Sequence, residues 1–293
     1  MRANRIFETL EALGLASEDS RTVFATATRD RDDLTVYRDS HSGVIYIDGF
    51  YVGDETYADG GFKKANTSFF GVPDYERSVL CQRRVETLQP FYVGRRIADF
   101  GCGRGDFLRA VRSKAASVTG IELEEGYAQA LRDDDIDCFH SLDDIADASL
   151  DTLFSFHVLE HLPDPLAILD RMFAKLKPGG QLIAEVPHAS EFLLNQLDCH
   201  AYRRFTLWSQ HLVLHTRHSL ARLIGHAGFT EIIVEGVQRY PVSNHLQWLS
   251  KGKPGGHKSS LSVIDTPALT AAYADALARI DATDTLIAFA VKP

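Results

Sequence analysis

An acidic residue followed by three glycines at alternate positions is the strongest chemical signal in this sequence. Asp99 ends a short apolar run, and Gly101, Gly103 and Gly105 follow it before a helix that is predicted to start near Asp106. An apolar run that ends in such a turn indicates a buried parallel strand, and open α/β sheets bind ligands at the carboxyl ends of their strands. Glycines let a ligand approach the backbone without a clash with Cβ atoms. The turn therefore predicts a ligand site.

The spacing of the glycines decides between two kinds of ligand. The dinucleotide-binding fingerprint has the spacing G-x-G-x-x-G, which leaves room for a pyrophosphate at the start of a helix. This turn has the pattern Asp-x-Gly-x-Gly-x-Gly instead, and the carboxylate of Asp99 would repel phosphate. A carboxylate attracts a positive group such as the ammonium or sulfonium of S-adenosylmethionine (SAM). We therefore expect a ligand that is cationic where it meets the turn.

A second acid follows at the end of the next predicted strand. Glu122 ends a β-type run that begins at Ser117. An acid about 20 residues after the glycines commonly accepts hydrogen bonds from the ribose hydroxyls of a bound nucleoside. Together, the Asp99 turn and Glu122 resemble the first two motifs of class I SAM-dependent methyltransferases. The resemblance implies SAM as the cofactor and an α/β fold with a Rossmann-like, seven-stranded sheet.

The same resemblance implies further contacts to the cofactor. Asp143 follows the third predicted strand, where the family places its adenine contacts, although Asp144 fits equally and either acid can cap a turn. His157 follows the fourth predicted strand, whose carboxyl end faces the methyl group in the family. The predicted cofactor-binding residues are Asp99, Gly101, Cys102, Gly103, Gly105, Glu122, Leu123, Asp143 and His157.

Histidines are concentrated around the predicted pocket, where methyl transfer needs a base that removes the proton of the acceptor. His157 and His161 follow the fourth strand, and His188, His211 and His215 follow the fifth. The ordinary pKa of imidazole, near ~6.5, suits this role. We predict that the base is His161, His211 or His157, with a structural hydrogen bond as the alternative for each.

The segment from His157 to His161 has two further interpretations. It matches the H-x-x-E-H motif of a class of zinc peptidases, but that motif needs one continuous helix, whereas here it straddles a strand end before Pro163. It also resembles the small-RNA 2′-O-methyltransferases, which have an acid, a Glu-His pair like Glu160-His161, and a later histidine like His211. That resemblance implies a metal site. In this sequence a histidine would replace one of the acidic ligands, and an imidazole ligand favours an ion softer than magnesium. We predict a site without metal and keep this alternative open.

Composition and charge exclude several classes of protein. The chain has 293 residues, enough for a full hydrophobic core with an appendage. Its net charge of −9 argues against a broad nucleic-acid surface, and its four cysteines form no C-x-x-C pair and are expected to be reduced. No apolar stretch approaches the ~18–20 residues of a membrane span, and the N-terminus predicts a charged helix rather than a signal peptide. We expect a cytoplasmic protein.

The first 75 residues are predicted to form an extension before the catalytic fold. Helical spacing indicates two short helices within residues 1–30. Two β-type runs at 34–38 and 44–48 flank a turn and predict a hairpin. The aromatic-rich segment from Phe50 to Tyr75 is expected to form a lid-like loop over the cofactor, or to pack against the sheet.

Residues 76–293 are predicted to form the methyltransferase domain. An insertion at about 240–282 separates the last two strands, and it contains a basic run from Lys251 to Lys258 that is expected to be mobile. The final strand, 285–291, runs antiparallel between strands five and six in the family.

The wider pattern of the chain suggests the acceptor. Segments at 39–48, 210–217 and 252–258 are similar to methyltransferases of bacterial polysaccharide and secondary-metabolite clusters. This similarity implies O-methylation of a sugar hydroxyl, with a nucleotide-linked sugar as one form of the acceptor, whose diphosphate would meet Lys253 and Lys258. Two alternatives stay open, namely metal-assisted 2′-O-methylation of RNA and a non-catalytic protein that binds the cofactor.

Overall fold

A mixed β-sheet of seven strands forms the centre of the chain. The structure is a computed structural model that describes residues 4–58 and 76–293. Its strands are β1 Arg21–Ala25, β2 Val36–Asp39, β3 Ile45–Tyr46, β4 Arg96–Phe100, β5 Ser117–Ile121, β6 Asp137–Phe139, β7 Leu150–Phe156, β8 Leu176–Pro187, β9 Val213–Leu214, β10 Thr230–Val237 and β11 Thr285–Val291. The central sheet has the order β10-β11-β8-β7-β4-β5-β6, in which β11 is antiparallel to both neighbours. The predicted α/β class, the seven-stranded sheet and the antiparallel last strand are confirmed.

Hydrophobic clusters lie on both faces of the central sheet, because successive side chains of a strand point in opposite directions. Ile97 and Ala98 of β4 are both buried, and they belong to different clusters. Leu153 and Phe154 of β7 divide in the same way. Burial on both faces explains why these strands are almost continuous apolar runs in the sequence.

Helices connect the strands and cover the sheet. They are α1 Ile6–Ala12, α2 Glu55–Ala58, α3 Cys81–Thr87, α4 Gln89–Tyr92, α5 Asp106–Val111, α6 Glu125–Arg132, α7 Pro165–Lys175, α8 His200–Thr206, α9 Arg217–His226, α10 Val242–Lys251 and α11 Pro267–Arg279. Within residues 4–58 and 76–293, none of the helices has both the length and the apolar character needed to cross a membrane.

The N-terminal extension contributes three strands to a second, four-stranded antiparallel sheet. The predicted hairpin is confirmed, with Tyr37 of β2 opposite Tyr46 of β3. The second predicted helix is wrong, because residues 21–25 form β1 and pair with β2. The β-branched and aromatic residues of this segment favour a strand once a partner strand is available. The fourth strand, β9, comes from the segment that follows His211 and pairs with β3, so the extension is tied to the core beside that histidine.

The predicted lid-like loop falls mostly outside the described residues, where Phe62, Phe69 and Phe70 lie. Its first part is described, and Tyr51 and Tyr57 both line the cleft at the candidate site.

The insertion between β10 and β11 contains α10 and α11, and the basic run between them is an ordered turn rather than a loose loop. Asn244 Oδ1 accepts hydrogen bonds from the backbone N–H groups of Gly255 and Gly256, at 2.9 and 3.3 Å. A Cβ atom at Gly256 would lie 1.9 Å from the carbonyl oxygen of Ser243. The turn is therefore held against α10.

The small sheet supplies the first testable prediction, because its turn depends on a buried acid. Asp39 is 1% exposed and accepts hydrogen bonds from the hydroxyl of Ser20 and from the backbone N–H groups of His41 and Ser42. Burial acts to raise the pKa of Asp39, but these hydrogen bonds outweigh it, so that the pKa is lowered. The resulting stabilisation is present above the unfolded pKa of ~3.9 and is lost as the pH falls through the folded pKa.

We expect Asp39→Asn to lower the free energy of unfolding at pH 7 by about 1–3 kcal/mol, since hydrogen bonds to a charged group are lost. Urea unfolding at pH 7 and at pH 3 would measure this, and the difference from the native chain should shrink at the lower pH. Asp32 is the matched control, because its side chain is 93% exposed and Asp32→Asn should change little. A difference between Asp39→Asn and the native chain that is constant with pH would contradict the assignment.

Candidate active site

A large cleft lies at the carboxyl ends of β4, β5 and β7, where open α/β sheets bind ligands. It has a volume of ≈ 1710 Å³ and is bounded by the extension, the central sheet and the insertion. A pocket for one small molecule commonly has ~300–1,000 Å³. The cleft therefore has room for two molecules side by side.

The glycine turn forms the floor of one end of the cleft, with Gly101, Gly103 and Gly105 at φ values of +71°, +54° and +69°. A Cβ atom at Gly101 would lie 2.5 Å from Val158 Cγ2, and one at Gly105 would lie 2.3 Å from Leu131 Cδ2. A Cβ atom at Gly103 would have no protein atom within 4 Å. Gly101 and Gly105 are thus needed for packing, whereas Gly103 borders open space in which a ligand can approach the backbone.

The difference between Gly103 and Gly105 gives a second prediction. Both have a positive φ, so alanine costs about 1–2 kcal/mol of backbone strain at either position. Gly105→Ala also overlaps Leu131 and is expected to lower the melting temperature more than Gly103→Ala. Gly103→Ala is expected to weaken ligand binding about tenfold, a loss worth ~1.4 kcal/mol. Calorimetric titration with SAM and thermal unfolding of both variants would test this, and unchanged SAM binding by Gly103→Ala would contradict it.

Asp99 is a buried acid without a complete set of hydrogen bonds. Its side chain faces the cleft, the residue is 3% exposed, and Oδ1 has no hydrogen-bond partner among the described residues. Burial raises the pKa of Asp99 to about 8, although the nearby guanidinium of Arg84 acts to lower it. Because an unpaired buried polar atom is costly, this oxygen indicates a ligand with a positive or hydrogen-donating group.

Arg84 is a site residue that the sequence analysis missed. It lines the cleft, its guanidinium lies 4.1 Å from the centre of the Phe156 ring, and it donates hydrogen bonds of 2.9 and 2.7 Å to Glu185. Glu185 is fully buried and also accepts a hydrogen bond from Arg83. A carboxylate at Asp99 beside a guanidinium at Arg84 matches the ammonium and carboxylate of an amino acid. Arg84 lies in α3, and no rule of residue spacing identifies a single arginine of a helix as a binding residue.

Glu122 lies where the predicted ribose contact requires it, at the end of β5. Its Oε2 accepts a hydrogen bond from the Gly103 N–H at 2.7 Å, and its Oε1 accepts one from the Glu124 N–H at 2.9 Å. Burial raises the pKa of Glu122, which these backbone hydrogen bonds partly counteract. Each carboxylate oxygen can accept a further hydrogen bond. The predicted contacts Cys102 and Leu123 also line the cleft.

Asp143 occupies a different position from the other predicted cofactor residues. Its side chain is 75% exposed and forms an ion pair of 2.9 Å with Arg171. The residues of this segment that line the cleft are His140, Ser141 and Leu142. An adenine contact from Asp143 would require the ion pair to open, so that contact stays a prediction.

His157 is held between two charged groups at the end of β7. Its φ is +58°, its Nδ1 lies 3.4 Å from Glu160 Oε1, and its Nε2 lies 3.2 Å from Arg239 Nη1. Because arginine can only donate, Nε2 is the acceptor and Nδ1 carries the hydrogen that faces Glu160. Burial and the positive charge of Arg239 lower the pKa of His157 well below its ordinary value. Because Arg239 occupies Nε2, while Nδ1 lies beside Glu160 without forming a hydrogen bond, His157 suits positioning better than proton transfer.

His161 and His211 both line the cleft, and each engages a backbone carbonyl through its Nδ1. The Nδ1 of His161 lies 2.8 Å from the Gln210 carbonyl oxygen, and the Nδ1 of His211 lies 3.2 Å from that of Thr206. Carbonyl oxygens only accept, so Nδ1 carries the hydrogen and Nε2 the lone pair in both rings. Burial lowers the pKa of His161 to about 4 and that of His211 well below its ordinary value. Both imidazoles are therefore neutral at neutral pH and can accept a proton or bind a metal ion.

Glu160 completes a group that we name the His-Glu cluster, which consists of Glu160, His161 and His211. The Glu160 side chain is 1% exposed, and neither carboxylate oxygen has a hydrogen-bond partner among the described residues. Burial raises its pKa to about 8. One ligand atom from each member lies within 4.8 Å of the others, so the cluster could hold a metal ion. Residues 159–161 form a single 3₁₀ turn, which excludes the helical geometry of the zinc peptidase motif.

Aromatic rings and one cation surround the His-Glu cluster. The ring centre of Trp208 lies 5.9 Å from that of His161, which is also 5.9 Å from that of Tyr57. The guanidinium of Arg29 lies 4.0 Å from the centre of the Trp208 ring, and burial lowers its pKa to about 10. The backbone N–H of Arg29 donates a hydrogen bond to the Leu207 carbonyl oxygen at 2.8 Å. The extension thus brings Arg29, which the sequence analysis did not single out, to the cluster.

Two other histidines of the predicted group form structural hydrogen bonds. His188 Nδ1 lies 3.0 Å from the Thr283 carbonyl oxygen, and His215 Nδ1 lies 3.0 Å from Ser219 Oγ. Both residues are 1% exposed. Each therefore has Nδ1 in a structural hydrogen bond, and the Nε2 of each has no hydrogen-bond partner among the described residues.

Comparison with protein families gives one match that covers more than half of the chain. Residues 74–234 match the family described as "Methyltransferase domain". This range contains the glycine turn, Glu122 and the His-Glu cluster.

Curated relatives are similar over shorter ranges. The chain is 34% identical to a ubiquinone biosynthesis O-methyltransferase of Idiomarina loihiensis over 99 residues, which are 30% of this chain and 41% of the relative. It is 26% identical to the Psychrobacter arcticus protein of the same name over 192 residues, which are 57% of this chain and 70% of the relative. The first of these matches thus spans about two fifths of the relative.

Solved structures show the same fold. A SAM-dependent methyltransferase from Archaeoglobus fulgidus superposes with a TM-score of 0.54 at 18% identity, and the match covers 79% of this chain and 99% of that one. At this identity the similarity concerns the fold alone.

Proposed function

Because the chain belongs to the methyltransferase-domain family and has the class I fold whose cofactor is SAM, we propose that it transfers the methyl group of SAM to a hydroxyl oxygen of a small acceptor. The observation that carries this proposal is that one cleft contains a buried, incompletely bonded carboxylate at Asp99 and two neutral imidazoles at His161 and His211. The first suits a cation, and the others are deprotonated and keep a lone pair for a proton, although their lowered pKa makes them weaker bases than an ordinary imidazole.

The residues of the glycine-turn end fit SAM. Asp99 would accept hydrogen bonds from the ammonium group, and Arg84 would face the carboxylate of the methionine part. Glu122 would accept hydrogen bonds from the ribose hydroxyls, and the open backbone at Gly103 would let the nucleoside approach. Charge complementarity supports these assignments. The methionine part of SAM carries an ammonium and a carboxylate, which attract an acidic and a basic side chain that lie close together.

The His-Glu cluster would act on the acceptor. SAM supplies an activated methyl group, so the protein has to align the acceptor oxygen and remove its proton. The Nε2 lone pair of His161 or His211 would take this proton, because the backbone carbonyls bound at Nδ1 fix the tautomer. His157 lies beside Glu160, with its Nδ1 3.4 Å from Oε1.

The walls of the cleft favour an acceptor with a flat or partly apolar face. Trp208 and Tyr57 lie at the cluster, and Trp248 and Lys258 of the insertion line the far side. We propose a hydroxylated ring, either a sugar or a phenol. The predicted nucleotide-linked sugar is supported only by the position of Lys258. The names of the curated relatives support O-methylation, and a cytoplasmic location stays a prediction.

Transfer of label tests the proposal. The protein would be incubated with SAM that carries a labelled methyl group and with nucleotide sugars, free sugars, catechols and short RNAs, and products would be identified by mass spectrometry. Each active acceptor would be compared with its analogue lacking the hydroxyl. Label on the hydroxyl oxygen is expected, and label on nitrogen or sulfur would contradict O-methylation. SAM binding without transfer to any acceptor would favour the non-catalytic alternative.

Metal-assisted 2′-O-methylation of RNA is a second candidate, favoured by the His-Glu cluster. Its three ligand atoms lie within 4.8 Å of one another, and two imidazoles with one carboxylate suit zinc or a similar ion better than magnesium. Metal analysis of the purified protein and assays with a chelator would test it. Loss of RNA methylation on chelation and recovery with a divalent ion would support this candidate, and full activity in the chelator would exclude it. An RNA that ends in a 2′-deoxynucleotide is the matched control.

A further inference from the structure

Two cysteines meet beneath the glycine turn, although they are 36 positions apart in the sequence. Cys102 lies between Gly101 and Gly103, and Cys138 is the central residue of β6. All four cysteines of the chain are free thiols in the structure. The function proposed above assigns no role to a second thiol at this position.

The two thiols can lie close together because Gly120, which they both face, has no side chain. A Cβ atom built on Gly120 would lie 2.9 Å from Cys102 Sγ and 3.0 Å from Cys138 Sγ. Gly120 is the direct neighbour of Cys138 in the parallel β5–β6 pair. Both sulfur atoms therefore occupy the space over the same glycine.

The pair connects the cleft to the strand behind it. Cys102 lines the cleft, whereas Cys138 is 4% exposed and lies below it. A small oxidant can reach Cys102 when the cleft contains no ligand. The interaction between the two thiols raises the pKa of Cys102 and lowers that of Cys138, so the thiolate that reacts with oxidants is favoured at Cys138.

We propose that Cys102 and Cys138 form a reversible disulfide in the presence of a peroxide, and that this disulfide prevents SAM from binding. The inference rests on the proposed function in that SAM is the ligand of the turn. One thiolate attacks the peroxide, forms an S–O bond to give a sulfenic acid and releases water. The second thiol then displaces the sulfenic oxygen as a second water and forms the S–S bond. Two thiols and one hydrogen peroxide thus give one disulfide and two waters.

The disulfide would act on the cofactor through the backbone of the turn. A disulfide holds its sulfur atoms ~2.05 Å apart, which is closer than two thiols in contact. Bond formation would therefore draw Cys102 toward β6, together with Gly101 and Gly103 on either side of it. The Gly103 N–H is the group that holds Glu122 Oε2 at 2.7 Å. A displaced turn would move both the ribose acceptor and the open backbone surface away from the ligand.

Peptide mapping and SAM titration of the full chain test this inference together. Reduced protein would be treated with hydrogen peroxide, with and without SAM, and then split between mass spectrometry and calorimetric titration. We expect a linked Cys102–Cys138 peptide, slower linkage when SAM is present, and SAM affinity that falls by at least about tenfold, as expected for a displaced binding group. Dithiothreitol should restore the affinity. Cys138→Ser and Cys138→Ala should resist peroxide, and Cys199→Ser should respond like the native chain.

Three results would overturn the inference. The first is the absence of the linked peptide after peroxide treatment, and the second is a linked protein that binds SAM as well as the reduced one. The third is an equal loss of affinity in the two Cys138 variants, which would assign the effect to oxidation of Cys102 alone. A reduced native chain that does not bind SAM would instead contradict the proposed function, so the two failures are distinguishable.

Discussion

Asparagine in place of Asp99 is expected to weaken SAM binding by at least about a hundredfold, because removal of one partner from a buried charge pair costs ~2–5 kcal/mol. Asp99 is 3% exposed, and its Oδ1 has no partner among the described residues, so no neighbouring group of the described residues replaces the lost contact. Calorimetric titration with SAM at pH 8 would measure the change. Asp275→Asn is the matched control, since that acid is exposed on α11 and does not line the cleft.

The pH dependence of SAM binding should reflect the ionisation of the Asp99 carboxyl group. In the free protein, burial raises the pKa of Asp99 to about 8, and a cationic ligand favours the ionised form. SAM affinity should therefore fall as the pH drops below 8, by up to about tenfold per pH unit. Titrations in buffers with different enthalpies of ionisation should detect a proton released on binding. Asp99→Asn should flatten the profile, and an unchanged profile in that variant would contradict the assignment.

Measurements of stability distinguish a direct loss of SAM binding in Asp99→Asn from unfolding of the variant. A buried acid whose folded pKa is raised stabilises the fold while it is protonated, and this stabilisation is lost as the pH rises from the unfolded value of ~3.9 toward 8. Asp99→Asn cannot ionise, so at pH 8 its free energy of unfolding should equal or exceed that of the native chain. A variant that loses SAM binding and stability together would indicate a structural role for Asp99.

Asparagine in place of His161 is expected to lower kcat for methyl transfer about 10²–10⁴-fold, the usual contribution of a positioned acid or base. Its Nε2 carries the lone pair because Nδ1 is bound to the Gln210 carbonyl, and asparagine can keep a hydrogen bond there without supplying a base. Binding of SAM should change little, since the His-Glu cluster lies away from Asp99 and the glycine turn. Steady-state kinetics with the acceptor found by label transfer would test this.

A set of histidine variants would assign the roles within the cluster. His211→Asn should lower kcat if it is the base or a metal ligand, and His157→Asn should have a smaller effect because Arg239 already occupies the Nε2 of His157. His226→Asn at the end of α9 is the matched control. Full activity of both His161→Asn and His211→Asn would contradict the proposed chemistry. Loss in both variants with metal content unchanged would favour a base over a metal site.

The sequence by itself determined the fold and the end of the cleft that suits the cofactor. Strands buried on both faces must be apolar throughout, so β4 and β7 are evident as continuous runs. The turn after Asp99 needs a left-handed backbone at three alternate positions, and glycine is the residue that adopts it without strain. Both requirements concern residues that are close together in the sequence, so the spacing of residue types is sufficient to reveal them. The segment at 21–25 was misjudged because its strand depends on a partner in β2.

Only the tertiary structure decided which charged side chains belong to the site. Arg84, Arg29 and Arg239 come from a helix, the extension and the insertion, and arginine has the same sequence signal whether it faces solvent or a cleft. The structure also distinguished Asp143, which is exposed and ion-paired, from Asp99. Burial is what raises the pKa of Asp99. Burial and convergence depend on contacts between distant segments, and these contacts exist only in the folded chain.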